Sequence, residues 1–273
     1  MSSWLKARQR RRFIFLCDRS NLTQLTSELL NSCDKIHRTG IWRVRLTEIT
    51  SRLVAAYGRP SLGNYRDPVK EIFYILLSAR TTELLYQRAH RRLFSKFPSV
   101  VKLAGASVEK VMKCIDRAGL GRKRAAQVVN TAKRLVADFG PRPQSRLREM
   151  PLARCFAYLS NLPGLGPKSS LCIMMYSLDF DVFPVDVNVQ RIAERVGVIS
   201  KGLKHYQAQK LLPRFIPNSC GKDLHVALVA HGRTVCLPLR PKCMDCVIAD
   251  LCRTGQRFLR KKTKGVESET QVS

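Results

Sequence analysis

Apolar positions recur at three-to-four-residue spacing along most of this chain, and no stretch alternates in the manner of a strand. Leu46, Ile49, Leu53 and Val54 predict a helix from Ile41 to Tyr57, ended by Gly58, Pro60, Gly63 and Asn64. Asp67-Pro68 then combines a helix cap with a proline for the first turn. The helix it opens, Val69–Ala79, is apolar nearly all round through Ile72, Phe73, Ile75, Leu76 and Leu77, so it belongs inside a core. Further helices are predicted to about Phe97, then over Ser107–Arg117 and Arg122–Phe139, the last stopped by Gly140-Pro141. Others follow over Pro151–Ser160, Ser169–Leu178, Val187–Val196, Leu203–Phe215 and Lys222–Arg233. Residues 141–150 read as a basic, proline-containing loop, Asp179–Phe183 as an extended link, and 255–273 as a disordered tail. The pattern predicts an all-α fold.

Composition narrows the partner. The 273 residues carry 49 Lys plus Arg against 20 Asp plus Glu, a formal charge of +29. That excess exceeds what solubility requires and points to a polyanion, most naturally nucleic acid. A ribosomal-type protein or a membrane-surface binder has the same signature. No apolar stretch is long enough for a membrane span. Residues 1–40 open with Lys6, Arg8, Arg10, Arg11 and Arg12 and no acid before Asp18. This basic extension is a solvated charge run, an added phosphate grip or a targeting segment.

Candidate chemistry concentrates in two places. Leu162-Pro163-Gly164-Leu165-Gly166-Pro167-Lys168 reads as a tight hairpin opening a helix. Its glycines accept unusual backbone angles and Pro167 suits the first helical position. Free amides at Gly164, Leu165 and Gly166 would bind a DNA phosphate. Lys168 lies in the first turn, against the positive end of the helix dipole. That mismatch is expected to lower its pKa, which suits an amine nucleophile. A plain helix–turn–helix corner with a surface lysine fits the same residues. Eighteen residues on, Pro184-Val185-Asp186 places Asp186 where it would cap the next helix.

The second place is Cys236, Cys243, Cys246 and Cys252, spaced C-x6-C-x2-C-x5-C. Four thiols this close, with no signal peptide to suggest secretion, read as a metal site in a reducing compartment. An iron–sulfur cluster and a structural zinc both accept four cysteines. Arg233, Arg240, Lys242 and Arg253 surround them and would turn positive charge toward a phosphate backbone. Arg122, Lys123 and Arg124, beside the Gly119–Gly121 turn, are further phosphate candidates, or a solvated charge run. His231 either faces DNA or serves as a buried donor. The remaining cysteines read as small buried hydrophobes.

Over roughly residues 42–253 these pieces resemble endonuclease III, in the helix–hairpin–helix (HhH-GPD) DNA glycosylase superfamily. Leu162–Lys168 resembles that family's L-P-G-x-G-x-K hairpin and Val185-Asp186 its V-D. Leu76–Thr82 resembles its L-L-S-A block, and His231-Gly232-Arg233 with the four cysteines its cluster loop. The resemblance implies a six-helix barrel with the hairpin (66–185) and an iron–sulfur domain (41–65 with 186–254). A DNA cleft would lie between them. It implies Lys168 and Asp186 as catalytic residues, and a [4Fe–4S] cluster, with zinc as the alternative, on Cys236, Cys243, Cys246 and Cys252. It also implies double-stranded DNA with a damaged or mismatched base, or an abasic site, as partner of a monomer. The compartment would be the cytoplasm with its nucleoid, or a nucleus in a eukaryote.

Two positions depart from the family. Arg80 stands where glutamine often fills the gap left by the extruded base, and Asn188 stands where a histidine is usual. Phe183–Val189 also resembles plant demethylating DNA glycosylases. The expected activity is a bifunctional glycosylase and AP lyase for oxidised pyrimidines. A mismatch or 5-methylcytosine glycosylase and a non-catalytic DNA-binding module are the alternatives.

Overall fold

The protein is seen here as a computed structural model that describes residues 39–58, 62–115, 121–218 and 220–260. The basic extension through residue 38, most of the Gly119–Gly121 turn and residues 261–273 lie outside them. The described residues form helices and turns, with no strand among them. The helices are α1 (39–57), α2 (Pro68–Ser78), α3 (Glu83–Lys96), α4 (Val100–Ala104), α5 (Val108–Ile115) and α6 (Arg122–Phe139). They continue with α7 (Pro143–Glu149), α8 (Leu152–Ser160), α9 (Pro167–Ser177), α10 (Val187–Val196), α11 (His205–Leu211), α12 (Gly221–Thr234) and α13 (253–260).

Two hydrophobic cores organise these helices. The first gathers α2 to α9, with Ile72, Phe73 and Leu77 of α2 fully buried at its centre. Asp67 caps α2 by accepting from the amides of Val69 and Lys70. An apolar stripe all round a helix is stable only where neighbours cover every side. Here α3, α6, α7 and α9 supply that cover. The second core joins Trp42, Leu46, Ile49 and Leu53 of α1 to α10, α12 and the cysteine loop. The chain passes between the cores twice, once between α1 and α2 and once near residues 178–182. Arg45 of α1 donates to the Leu251 carbonyl, and Arg52 pairs with Asp250, so α1 holds the segment just before α13.

Four expectations change. Residues 141–150 are not a loop: α7 occupies them, with Pro143 in its first turn and Leu147 fully buried. One apolar residue among arginines was too little periodicity to detect. Helix α4, capped by Ser99, had no prediction because its five residues are too short to show a helical period. Residues 203–215 break into α11 and a 3₁₀ turn, Leu212–Phe215, because Pro213 has no N–H to continue the ladder. Disorder does not begin at residue 255, since α13 runs over 253–260. The Gln256 amide bonds to the Cys252 carbonyl and its side chain to the Asp250 carbonyl, which anchors that helix.

Candidate active site and cysteine loop

The hairpin before α9 is built by contacts as well as by glycine. Leu162 and Leu165 are buried, and the Leu165 amide bonds back to the Leu162 carbonyl. That amide is therefore spent within the turn, unlike the free donor expected of it. Thr131 on α6 donates to the Pro163 carbonyl. Gly164 has φ +83°, and a side chain there would run into Gln127 of α6. No side chain caps α9 at Gly166, so its first-turn amides stay open and Lys168 projects from beside them.

The Asp186 region is held differently. Gln209 clamps the incoming segment: its Oε1 accepts from the Val185 amide and its Nε2 donates to the Phe183 carbonyl. The His225 imidazole bonds to the Pro184 carbonyl at 2.9 Å. Asp186 Oδ1 then accepts from the amides of Asn188 and Val189, and Oδ2 from the Asn188 side chain. The predicted cap is real.

Lys168 and Asp186 line one cavity of about 430 Å³, with Tyr74, Tyr86, Cys172 and Tyr176 in its walls. A volume of that order holds a nucleobase. The pKa of Lys168 is raised, not lowered. The Cys172 sulfur raises it most and Asp186 adds to this, while burial opposes. Burial holds the Cys172 thiol itself at about 11, so at neutral pH Asp186 is the negative partner that acts. Charge inside the pocket outweighs both burial and the helix-end mismatch on which the expectation rested. Lys168 rests as an ammonium.

Sequence reasoning missed most of this wall. Asn64, Glu83 and His225 also line the cavity, and His225 is held neutral, its pKa lowered by burial to about 4. The one trace was tyrosine in place of phenylalanine inside buried stripes, since a buried phenol needs a partner. Arg233, read as part of the cysteine loop, instead lines this cavity and pairs with Glu83 at 2.6 Å.

The four cysteines line a second, apolar cavity with Ile192, Val235 and Ile248. Arg191 and Arg195, one turn apart on α10, grip their loop. Arg191 donates to the Cys236 carbonyl, and Arg195 to the Cys236 sulfur at 3.1 Å and to the Leu237 and Pro238 carbonyls. Burial pushes the Cys246 thiol up to about 11 and raises those of Cys243 and Cys252. Bare thiolates are thus disfavoured there. His231 is buried, 2.7 Å from the Tyr57 hydroxyl and 3.6 Å from the Cys246 sulfur, so it does not face DNA. Among the described residues no three His, Cys, Asp or Glu side chains converge tightly enough to clasp a single metal ion.

Comparison with known proteins places these features. Residues 73–218, which contain the hairpin, Lys168 and Asp186, match the HhH-GPD superfamily of base excision DNA repair proteins. The chain belongs to that superfamily. It is 26% identical over 197 residues to endonuclease III of Bacillus subtilis, covering 72% of this chain and 86% of that one. The fold matches a trapped endonuclease III–DNA covalent intermediate with a TM-score of 0.69 at 22% identity, covering 80% and 98% of the two chains. It also matches a thermostable thymine-DNA glycosylase with a TM-score of 0.68 at 22% identity, covering 78% and 97%. It is an endonuclease III-like HhH-GPD enzyme, a base excision repair DNA glycosylase and AP lyase.

In this HhH-GPD chain, α6 repeats the open start of α9. No side chain caps it at Gly121, and Arg122, Lys123 and Arg124 fill its first turn. Arg122 is exposed and pairs with Glu109 at 2.7 Å; Lys123 is exposed. Arg124 is half-buried and close enough to Arg80 that the two charges repel. Arg80 is exposed and has φ +62°, a left-handed conformation unusual for a side-chain-bearing residue. No helix among the described residues is long and apolar enough to cross a membrane.

Proposed function

We propose that this enzyme extrudes a base from double-stranded DNA, releases it through a Lys168 Schiff base and cuts the strand by β-elimination. One observation carries the reading: Lys168 and Asp186, from the starts of two different helices, share a buried-walled cavity of nucleobase size. A base in the stack is out of reach of any side chain, so extrusion must come first, at a cost of a few kcal/mol. The open starts of α6 and α9, with Arg80 and Lys123, would hold the phosphates that offset it.

In the reaction, the Lys168 ammonium first gives up a proton, which the departing base takes up. The amine attacks C1′, and the glycosidic bond breaks with its electron pair on the base. The sugar ring then opens, leaving a C1′=N iminium. That cation acidifies the C2′ proton. Its removal expels the 3′ phosphate, and water finally frees Lys168. Asp186, fixed by three hydrogen bonds, faces the cationic sugar and passes the proton.

The substrate read here is an oxidised pyrimidine. A thymine or uracil opposite guanine, or 5-methylcytosine, is the second reading, favoured by Asn188 and by the likeness to a thymine-DNA glycosylase fold. The two cores are read as two domains meeting at the DNA cleft. Cys236, Cys243, Cys246 and Cys252 would hold a [4Fe–4S] cluster, since the four thiols line one apolar cavity. Bound there, it would supply anionic sulfur that locks the loop to Arg195. The test is borohydride trapping on duplexes carrying thymine glycol, dihydrouracil, uracil or thymine opposite guanine, 5-methylcytosine, or an abasic site. A Lys168-dependent covalent band is expected, and the duplex giving it names the base. Tight binding with no band on any duplex would leave only a DNA-binding module.

A further inference from the structure

One buried charge has no part in that chemistry. Glu71 of α2 is 0% exposed, inside an otherwise apolar helix. Its two oxygens face away from α2 toward the loop of residues 62–65. Oε1 accepts from the Asn64 side-chain amide at 2.5 Å, and Oε2 from the Tyr65 backbone amide at 2.8 Å. One turn later on α2, the Tyr74 hydroxyl donates to the Leu62 carbonyl at 3.0 Å. Between them Gly63, at φ +74°, brings its α-carbon so close to Tyr74 that a side chain would meet the phenol oxygen. Two successive turns of α2 thus fasten this short loop, and the loop sets Asn64 into the wall of the Lys168 cavity.

A buried carboxyl costs stability unless it does something, and here it orients an amide. A carboxylate only accepts, so the Asn64 nitrogen must turn toward Glu71. The Asn64 carbonyl oxygen and its second N–H then remain as an adjacent acceptor and donor. Such an amide edge pairs with a base edge that offers a donor beside an acceptor, as pyrimidines do on their Watson–Crick side.

We propose that Asn64, oriented by Glu71, reads the hydrogen-bonding edge of the extruded base. Asn64 touches the base and determines specificity; Glu71 is a positioning residue. The ligand class is a pyrimidine-type base with an intact N3–C4 edge. This deepens the function proposed above and rests on it.

The test separates base release from strand cutting, because an abasic site has no base to read. Full-length enzyme is compared at pH 8, above the value of about 7 to which burial raises Glu71. Base release is followed under single-turnover conditions on the duplex that wild type prefers, and borohydride trapping on the abasic duplex. Asn64→Ala is expected to lower base release about 10- to 100-fold while abasic trapping stays within about two-fold of wild type. Glu71→Leu, which removes the carboxylate and keeps the bulk, is expected to lose base release selectively without loss of thermal stability. Unchanged base release in Asn64→Ala, or an equal loss of both activities, overturns the inference alone. No Lys168-dependent band from wild type on any duplex overturns the Schiff-base function and this inference together.

Discussion

Helices α9 and α10 both begin at the same cavity, and they begin in opposite ways. The start of α9 is open: Gly166 offers no cap, and a cation, Lys168, sits against the positive helix end. The start of α10 is closed: Asp186 satisfies two amides with its own carboxylate. The open end costs local stability and leaves donors for a phosphate. The closed end is stable by itself and delivers a fixed anion. Placed together, they make an ammonium–carboxylate site that neither helix encodes alone. Further along α10, Arg191 and Arg195 grip the cysteine loop, so the helix that presents Asp186 is also held by that loop.

The sharpest break in this comparison is Lys168→Gln. Strand cutting and trapping should fall on the order of 10³-fold or more, with DNA affinity retained in a filter or anisotropy assay. Equal cleavage by the variant would end the nucleophile assignment. At the closed end, Asp186→Asn keeps an oxygen for the amides, so the melting temperature should barely move. The rate should fall roughly 10²-fold as the charge is lost. A variant that melts early but reacts normally would make Asp186 a cap and nothing more.

Glu71 gives the largest effect on stability. Its folded pKa is raised to about 7, so the folded state holds a proton that the unfolded state gives up near 4.5. Stability therefore falls as pH rises from about 4.5 to 7, by about 3 kcal/mol in full. Glu71→Leu should flatten this part of the pH–stability curve measured by denaturant unfolding; an unchanged slope would mean another group causes it.

Two smaller changes refine the open end. Gly164→Ala forces a left-handed backbone and pushes on Gln127, for a cost of about 1–2 kcal/mol in the melt and weaker DNA binding. Cys172→Val takes away a thiol that burial, holding it at about 11, keeps neutral at working pH, and it leaves Asp186 in place. The rising limb of the pH–rate profile for trapping should therefore stay where it is in wild type. Movement to lower pH would show that an ionised Cys172 sulfur helps hold Lys168 as an ammonium.

Patterns local in sequence were legible before the structure. Helices α6 and α10 have the bounds that their glycines and apolar spacing predict, and Asp186 caps α10 as its position suggests. The short helix α7 was not legible, because it rests on two buried residues, Pro143 and Leu147, whose value comes from neighbours far along the chain. The cavity was illegible for the same reason: Asn64, Tyr74, Tyr86 and His225 sit in helices or loops where local pattern suggests only packing or punctuation. The sequence by itself determined the helices, the hairpin, the capping aspartate and the cysteine spacing, since these depend on residues a few positions apart. The tertiary structure decided that Lys168 stays charged, that Arg233 turns to Glu83, and that Glu71 accepts from Asn64. Each depends on a charge or dipole brought across from another element, where burial sets how strongly it acts.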